Sequence, residues 1–296
     1  MPDRSQIGGN RGPCIISPGR AKGTEFPFLT PRRVSLLRVR WAFWLRFVAN
    51  NDLQVARSGE RTNAAGKPVA NKILLSISDG DYSSLRPHLE YVRLPNHLVI
   101  HEAGAKLKFA YFPNRGMISL VVVMKNGKTA EAGIVGNEGF TGTLAAVGLS
   151  RNPLQAVIQI TGDGFRVEVG SLQTVLESAR HLQLMLSRYA AIRGTQVAQT
   201  AACNRLHEIE QRLARWLLMT QDRVDSGSLP ITHDFLATML GTDRPTVSVA
   251  AGVLQRKKII AYTRGAVKIV NRKKLEDSAC ECYGVIRQYD GELGLK

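Results

Sequence analysis

Residues 230–255, PITHDFLATMLGTDRPTVSVAAGVLQ, narrow the architecture more than any other stretch of the chain. Thr232 is placed to cap a helix that ends near Leu240. Gly241 supplies the tight turn between two helices. Asp243 opens the second helix, which tolerates Pro245 because an N–H in the first turn has no intrahelical partner. The pattern is that of a helix-turn-helix. In the second helix Val247, Ala251 and Leu254 share a face spaced for burial. The opposite face carries Arg244, Pro245, Ser248, Val249 and Gly252. It is small and mostly uncharged, with one long cation at its N-terminal end, and it fits the major groove of a duplex.

The flanks agree with that reading. Arg256-Lys257-Lys258 closes the helix favourably against its dipole. Ile259–Tyr262 and Ala266–Val270 read as two short strands around Thr263-Arg264-Gly265, a β-hairpin wing with Arg264 at its tip and Lys268 nearby. Arg272-Lys273-Lys274 adds three cations. The candidate contacts to double-stranded DNA are therefore Arg244, Pro245, Thr246, Ser248 and Val249, with Arg256, Lys257, Arg264 and Lys268. Across the 296 residues, 40 Lys and Arg stand against 24 Asp and Glu, a net charge of +16. Residues 230–275 alone carry a net +7 and residues 1–71 a net +8. A compact basic segment favours a polyanion, and nucleic acid is the commonest one.

The length suits two domains at roughly 150 residues each. Residues 1–71 are rich in Gly, Pro, Arg, Ser and Asn and read as a basic, disordered extension. Residues 72–170 read as mostly β after a helical lead-in from Lys72 to about Leu89. Brief apolar runs (Leu98–Ile100, Phe109–Phe112, Met117–Met124, Thr129–Val135, Leu154–Ile160, Phe165–Val169) are separated by turn signals. Those signals include Pro113-Asn114-Arg115-Gly116 and the hairpin dipeptide Asn126-Gly127. Short strands at this spacing imply a small barrel or jelly roll, and with the helices an α+β fold.

Residues 171–206 read as one long helix. Met185, Tyr189, Ile192, Gln196, Gln199, Cys203 and Leu206 recur at alternating spacings of four and three. That 3.5-residue period suits the seam of a two-helix coiled coil, hence a homodimer. Residues 207–296 begin with a further amphipathic helix and hold the helix-turn-helix and its wing.

Several function classes find no support. No stretch reaches the roughly 18 uncharged apolar residues of a membrane span, so no membrane partner is expected. The first thirty residues lack the apolar core of a signal peptide, and four cysteines make no disulfide framework, so a reducing cytoplasm is expected. Cys280-Glu281-Cys282 lacks a second Cys pair and reads as structural or surface, so neither a metal nor another cofactor is expected. An enzyme reading rests on His97, His101 and Glu102 in a cupin-like metal site. It lacks the paired His spacing of such sites, and no catalytic set appears elsewhere.

Taken together, residues 72–296 resemble a bacterial transcription regulator of the Crp/Fnr type. The most specific stretches are the run from Cys203 to Leu217 and the helix-turn-helix. The resemblance implies a cyclic-nucleotide-binding-like jelly roll, a long dimerisation helix and a C-terminal winged helix-turn-helix. It also implies a homodimer on a near-palindromic DNA site and, in an activator, a contact with RNA polymerase. In this family an Arg at the start of the recognition helix reads guanine, and Arg244 matches it. Pro245 and Val249 depart from the cAMP-receptor branch, which has a Glu and an Arg there.

The effector cassette of nucleotide-binding relatives should lie within residues 136–156. Gly142 fits the family's glycine, but Thr143 stands where a Glu takes the ribose hydroxyl. Pro153-Leu154-Gln155 replaces the Arg pair that neutralises the phosphate, and Arg151 lies nearby but out of place. The expectation is a degenerate cassette of Gly142, Thr143, Arg151, Leu154 and Gln155 that does not respond to cAMP. Only Cys14 lies near the N-terminus, so the iron–sulfur cluster of the oxygen-sensing branch is not expected.

Overall fold

The computed structural model describes residues 56–224, 226–263 and 265–295. Helices α1 (Lys72–Ser76) and α2 (Asp79–Leu85) lead into strands β1 (Glu90–Leu94), β2 (Val99–His101), β3 (Phe109–Val123), β4 (Thr129–Val135) and β5 (Gln155–Glu168). All pairings are antiparallel, in the order β1–β5–β3–β4 with β2 also on β5. A single turn, α3 (Thr143–Ala146), lies between β4 and β5. Helices α4 (Val169–Leu176), α5 (Arg180–Leu206) and α6 (Ile209–Val224) follow. Strand β6 (Ser228–Leu229), α7 (His233–Leu240), α8 (Arg244–Arg256), β7 (Ile260–Thr263) and β8 (Ala266–Ile269) form a winged helix-turn-helix, closed by α9 (Arg272–Ser278) and α10 (Cys282–Gly291). The fold is α+β, as the sequence implies.

Asn126-Gly127 is the hairpin turn between β3 and β4. Gly127 has φ +77°, and Met124 N donates to Lys128 O across 2.8 Å. The other turn signal behaves differently. Pro113 to Gly116 does not end a strand but bends β3 at a series of register shifts against β5. Gly116 has φ +84°, and a Cβ there would lie 2.5 Å from Ile160 O. An unpaired residue with positive φ bends and twists a strand instead of terminating it. Two pairs of predicted short strands thus merge into β3 and β5, which curl to enclose Phe112, Phe165 and Val167.

The extension predicted for residues 1–71 needs correction at its C-terminal end; residues 1–55 lie outside the described residues. From Ala56 onward the chain packs on the β domain, and Val69 is fully buried. Arg61 is buried and donates to Leu74 O, Ile77 O and Asp79 Oδ1, with its guanidinium 4.7 Å from the Tyr82 ring. Part of its polar composition is internal, since Asn71 caps the start of α1 and Arg61 takes the carbonyls at its end, while Arg57, Glu60 and Lys67 stay exposed. The single helix predicted over residues 171–206 is also corrected. It is two helices broken at Glu177–Ala179, where Ala179 leaves helical geometry with ψ 72°.

One apolar core joins the β domain to the helix-turn-helix. Met117, Val121 and Ile134 pack with Leu213, Leu217, Leu236, Val247 and Leu254. Helix α6 rests on β3 and α7 on β4.

Candidate nucleic-acid interface

Local capping fixes the two helices of the motif. Thr232 accepts from Phe235 N (3.2 Å), Gly241 turns at φ +61°, and Asp243 accepts from Thr246 N (2.8 Å). That last bond holds the Asp243 carboxyl below the usual carboxylate range. Val247, Ala250, Ala251 and Leu254 are buried, which leaves Arg244, Pro245 and Val249 on the outer face. Val249 is 68% exposed on this face. Arg244 is exposed, with Nη1 3.5 Å from Asp234 Oδ2.

The remaining candidates divide. Thr246 is half-buried as part of the cap. Ser248 Oγ donates to Arg244 O (2.9 Å) and lies 3.0 Å from His233 Nδ1, so its hydroxyl is engaged within the motif. His233 in turn stacks on Tyr262 of β7 at 4.0 Å, which fixes the wing against the motif. Arg256 and Lys268 are exposed. Lys257 is held by Glu210 at 2.7 Å instead of standing free. Arg272 and Lys273 pair with Asp222 and Asp277. Arg264 lies outside the described residues. Arg244 and Arg256 are the exposed cations of α8, and Lys268 is an exposed cation of β8 in the wing.

The predicted dimer seam is reassigned. Met185, Tyr189, Gln196 and Cys203 are buried within the chain itself. Tyr189 packs 5.4 Å from Phe140, Gln196 Nε2 donates to Asp290 Oδ1 (2.9 Å), and Gln199 Nε2 donates to Cys282 Sγ (3.1 Å). Ile192 is half-buried and Leu206 is 74% exposed. A 3.5-residue period requires that one face be covered, and it does not specify by which chain. The face of α5 left outside carries Leu184, Ser187, Ala191, Gly194, Ala198 and Ala201.

In the β domain, Gly142 precedes α3 at φ +88°, and a Cβ there would approach Ala110 to 3.3 Å. Thr143 is the first residue of this turn. Arg151 points elsewhere, donating to Gly104 O (3.0 Å), and Gln155 Nε2 donates to Glu102 Oε2 (2.8 Å). Leu154 is half-buried beside it.

The cupin-like set is not assembled. His101 is buried beside Thr141 and Tyr111, His97 is bonded to Asn96, and Glu102 to Gln155. Another set is. Among the described residues, Cys203, His207, Cys280 and Cys282 bring their ligand atoms within 4.8 Å of one another. The reading of Cys280-Glu281-Cys282 as an isolated pair missed this. Its partners lie more than seventy residues away at the end of α5, and local spacing carries no sign of them.

Comparison with known proteins agrees with this geometry. Residues 211–278 match the model of the Crp-like helix-turn-helix domain. Sequence comparison with curated proteins finds no match. Among solved structures, the chain is similar to the c-di-GMP-responsive global regulator CLP of Xanthomonas campestris, at 14% identity and TM-score 0.55, over 64% of this chain and 98% of that one. It is similar to FixK2 of Bradyrhizobium japonicum at 15% and 0.55, over 65% and 98%. A putative Crp/Fnr-family regulator of Eubacterium rectale gives 14% and 0.53, over 68% and 94%. The chain has the fold of Crp/Fnr-type transcription regulators. Within that fold, residues 211–278 are similar to the Crp-like helix-turn-helix domain.

Proposed function

We propose that this chain is a sequence-specific DNA-binding transcription regulator that acts in the cytoplasm as a homodimer on a near-palindromic site. The outer face of α8 carries the reading: Arg244, Pro245 and Val249 are exposed on a capped helix whose other face is fully packed. An N-terminal arginine with small neighbours suits base edges in the major groove, and Arg256 and Lys268 suit the flanking phosphates. Arg264, which falls between β7 and β8 in the sequence, is expected to join them. The outward face of α5 is the proposed dimer surface, because its small side chains allow a second copy of the helix to approach. An activating role would add a contact with RNA polymerase.

The β domain is proposed not to respond to cAMP. With Thr143 in place of a carboxylate and Arg151 turned to Gly104, a cyclic phosphate would find no cation at the cassette. Selection from a random duplex library by the purified protein tests the function. The expected result is one enriched motif with half-sites about 34 Å, or one helical turn, apart. It should bind equally well with and without submillimolar cAMP or cGMP. A library with no enriched motif overturns the reading. Saturable binding of cAMP coupled to tighter DNA binding overturns the sensor part alone.

A further inference from the structure

Helix α5 ends at His207, which caps it in extended geometry (φ −113°, ψ 149°) and donates its backbone N–H to Cys203 O. Cys203 and His207 thus follow one another by one helical turn and face the same way. Against them lie Cys280, in the short connection between α9 and α10, and Cys282, the first residue of α10. All three cysteines are buried free thiols. Cys203 Sγ is 3.5 Å from Cys280 Sγ, and Cys282 Sγ is 3.5 Å from His207 Nδ1.

These distances suit a single small ion. Tetrahedral zinc, with sulfur at about 2.3 Å and imidazole nitrogen at about 2.0–2.1 Å, separates its ligand atoms by roughly 3.6–3.8 Å. The four atoms here, none more than 4.8 Å from another, close on such a tetrahedron with small side-chain adjustments. A multi-iron cluster would need its ligands spread further apart.

The surroundings are those of a ligand shell. His207 offers Nδ1 to the cluster, and its Nε2 lies 3.1 Å from Glu281 Oε1, an arrangement that fixes the tautomer and orients a ligating imidazole. Gln199 Nε2 donates to Cys282 Sγ, as donors to thiolates do. Arg215 is 3% exposed, and among the described residues no carboxylate lies within ion-pair distance of it. Its charge is close enough to act on both the Glu131 carboxyl and the Cys203 thiol. Three thiolates around a divalent ion carry one net negative charge, which the nearby Arg215 would help to balance.

We infer that Cys203, His207, Cys280 and Cys282 bind one zinc-class divalent ion, which staples the end of α5 to the C-terminal helices of the helix-turn-helix domain. The staple closes on the two-residue joint, His207-Glu208, between α5 and α6. An ion there would set the angle at which the reading helix is presented. The binding itself does not depend on the DNA-binding reading.

Elemental analysis of the full chain purified without chelator should find one zinc per chain. After chelation, titration with cobalt(II) should produce thiolate-to-cobalt charge-transfer absorption and the intense bands of tetrahedral cobalt. Cys282→Ser and His207→Ala should each abolish that spectrum. Glu281→Gln leaves all four ligands in place, so it should fold and lose about 10–100-fold in metal affinity in competition with a chromogenic chelator. Metal removal should also expose the joint to trypsin at Arg205. The inference is overturned if folded wild-type protein holds no metal and gives octahedral cobalt only. It is equally overturned by iron with acid-labile sulfide, or by a Cys203–Cys280 disulfide in metal-free protein. Bound zinc that leaves trypsin cleavage unchanged on removal overturns the staple.

Discussion

The indole N–H of Trp216 donates to Glu131 Oε1 across 2.7 Å, tying α6 of the helix-turn-helix domain to β4 of the β domain. Ser119 donates to the other carboxylate oxygen across 2.8 Å. Glu131 is buried, and burial pushes its carboxyl up, against the pull of these two donors and of Arg215 and Arg193. The pair adds a directional bond to a contact between the two domains that also holds the buried Arg223–Glu138 ion pair at 2.9 Å.

Glu131→Ala should therefore leave two buried donors without an acceptor. Each such loss costs about 1–3 kcal/mol, so urea unfolding should report a loss of about 2–6 kcal/mol. Trp216→Phe alone should cost less, because Ser119 still serves the carboxylate. In a double-mutant cycle the two changes should couple by at least about 1 kcal/mol. Additive effects would mean that the bond contributes nothing across the domains.

Arg244 on α8 and Lys268 on β8 should separate by readout. Arg244→Ala should cost about 1–3 kcal/mol at the selected site and relax base preference at one position of each half-site. Lys268→Ala should weaken all duplexes alike and make the salt dependence shallower by about one phosphate contact. Fluorescence anisotropy on cognate and scrambled duplexes, at several salt concentrations, checks both. An equal loss on both duplexes for Arg244→Ala would remove α8 as the reading helix.

The legible parts of this fold were those fixed by neighbouring residues. Thr232, Gly241 and Asp243 set caps and a turn within a few positions, and Asn126-Gly127 set a hairpin, so the motif and the β3–β4 turn could be read directly. What depends on distant partners could not. Pro113 to Gly116 has the composition of a turn, and only the glycines it faces on β5 make it a bend within a strand. The seam of α5 announced that one face is covered, but its cover comes from Phe140, Asp290 and Cys282, at sequence distances where spacing carries no information. Lys257 counted as a free cation until Glu210, on another helix, was seen to hold it. The Cys203–His207 and Cys280–Cys282 pairs were each too small to signify alone.

The two faces of α5 make opposite predictions. Ala191→Glu with Ala198→Glu places like charges on the outward face, seven residues apart, without touching the core. Light scattering should report a folded monomer with weakened binding to the two-half-site duplex. Met185→Glu, on the inward face and 6% exposed, should instead unfold the β domain, because an unpaired carboxylate would be buried. A wild-type protein that is monomeric at micromolar concentration would remove the outward face as a dimer surface.

Acid should destabilise the β domain through His101. This side chain is 6% exposed, with Nε2 3.2 Å from Thr141 Oγ1 and its ring edge-on to Tyr111. Burial lowers its pKa to about 4 from an unfolded value of 6.5. A lowered histidine pKa means that the unfolded chain binds the proton more readily. Stability is therefore full above the unfolded value and falls as pH drops from 6.5 towards 4. Between pH 7 and pH 5 the loss from this group should be about 2 kcal/mol. His101→Phe keeps the aromatic contact with Tyr111 and removes the proton site, so urea titrations at pH 7 and pH 5 should differ by about 2 kcal/mol less than in the wild type. The same pH dependence in both proteins would assign the acid sensitivity to another group.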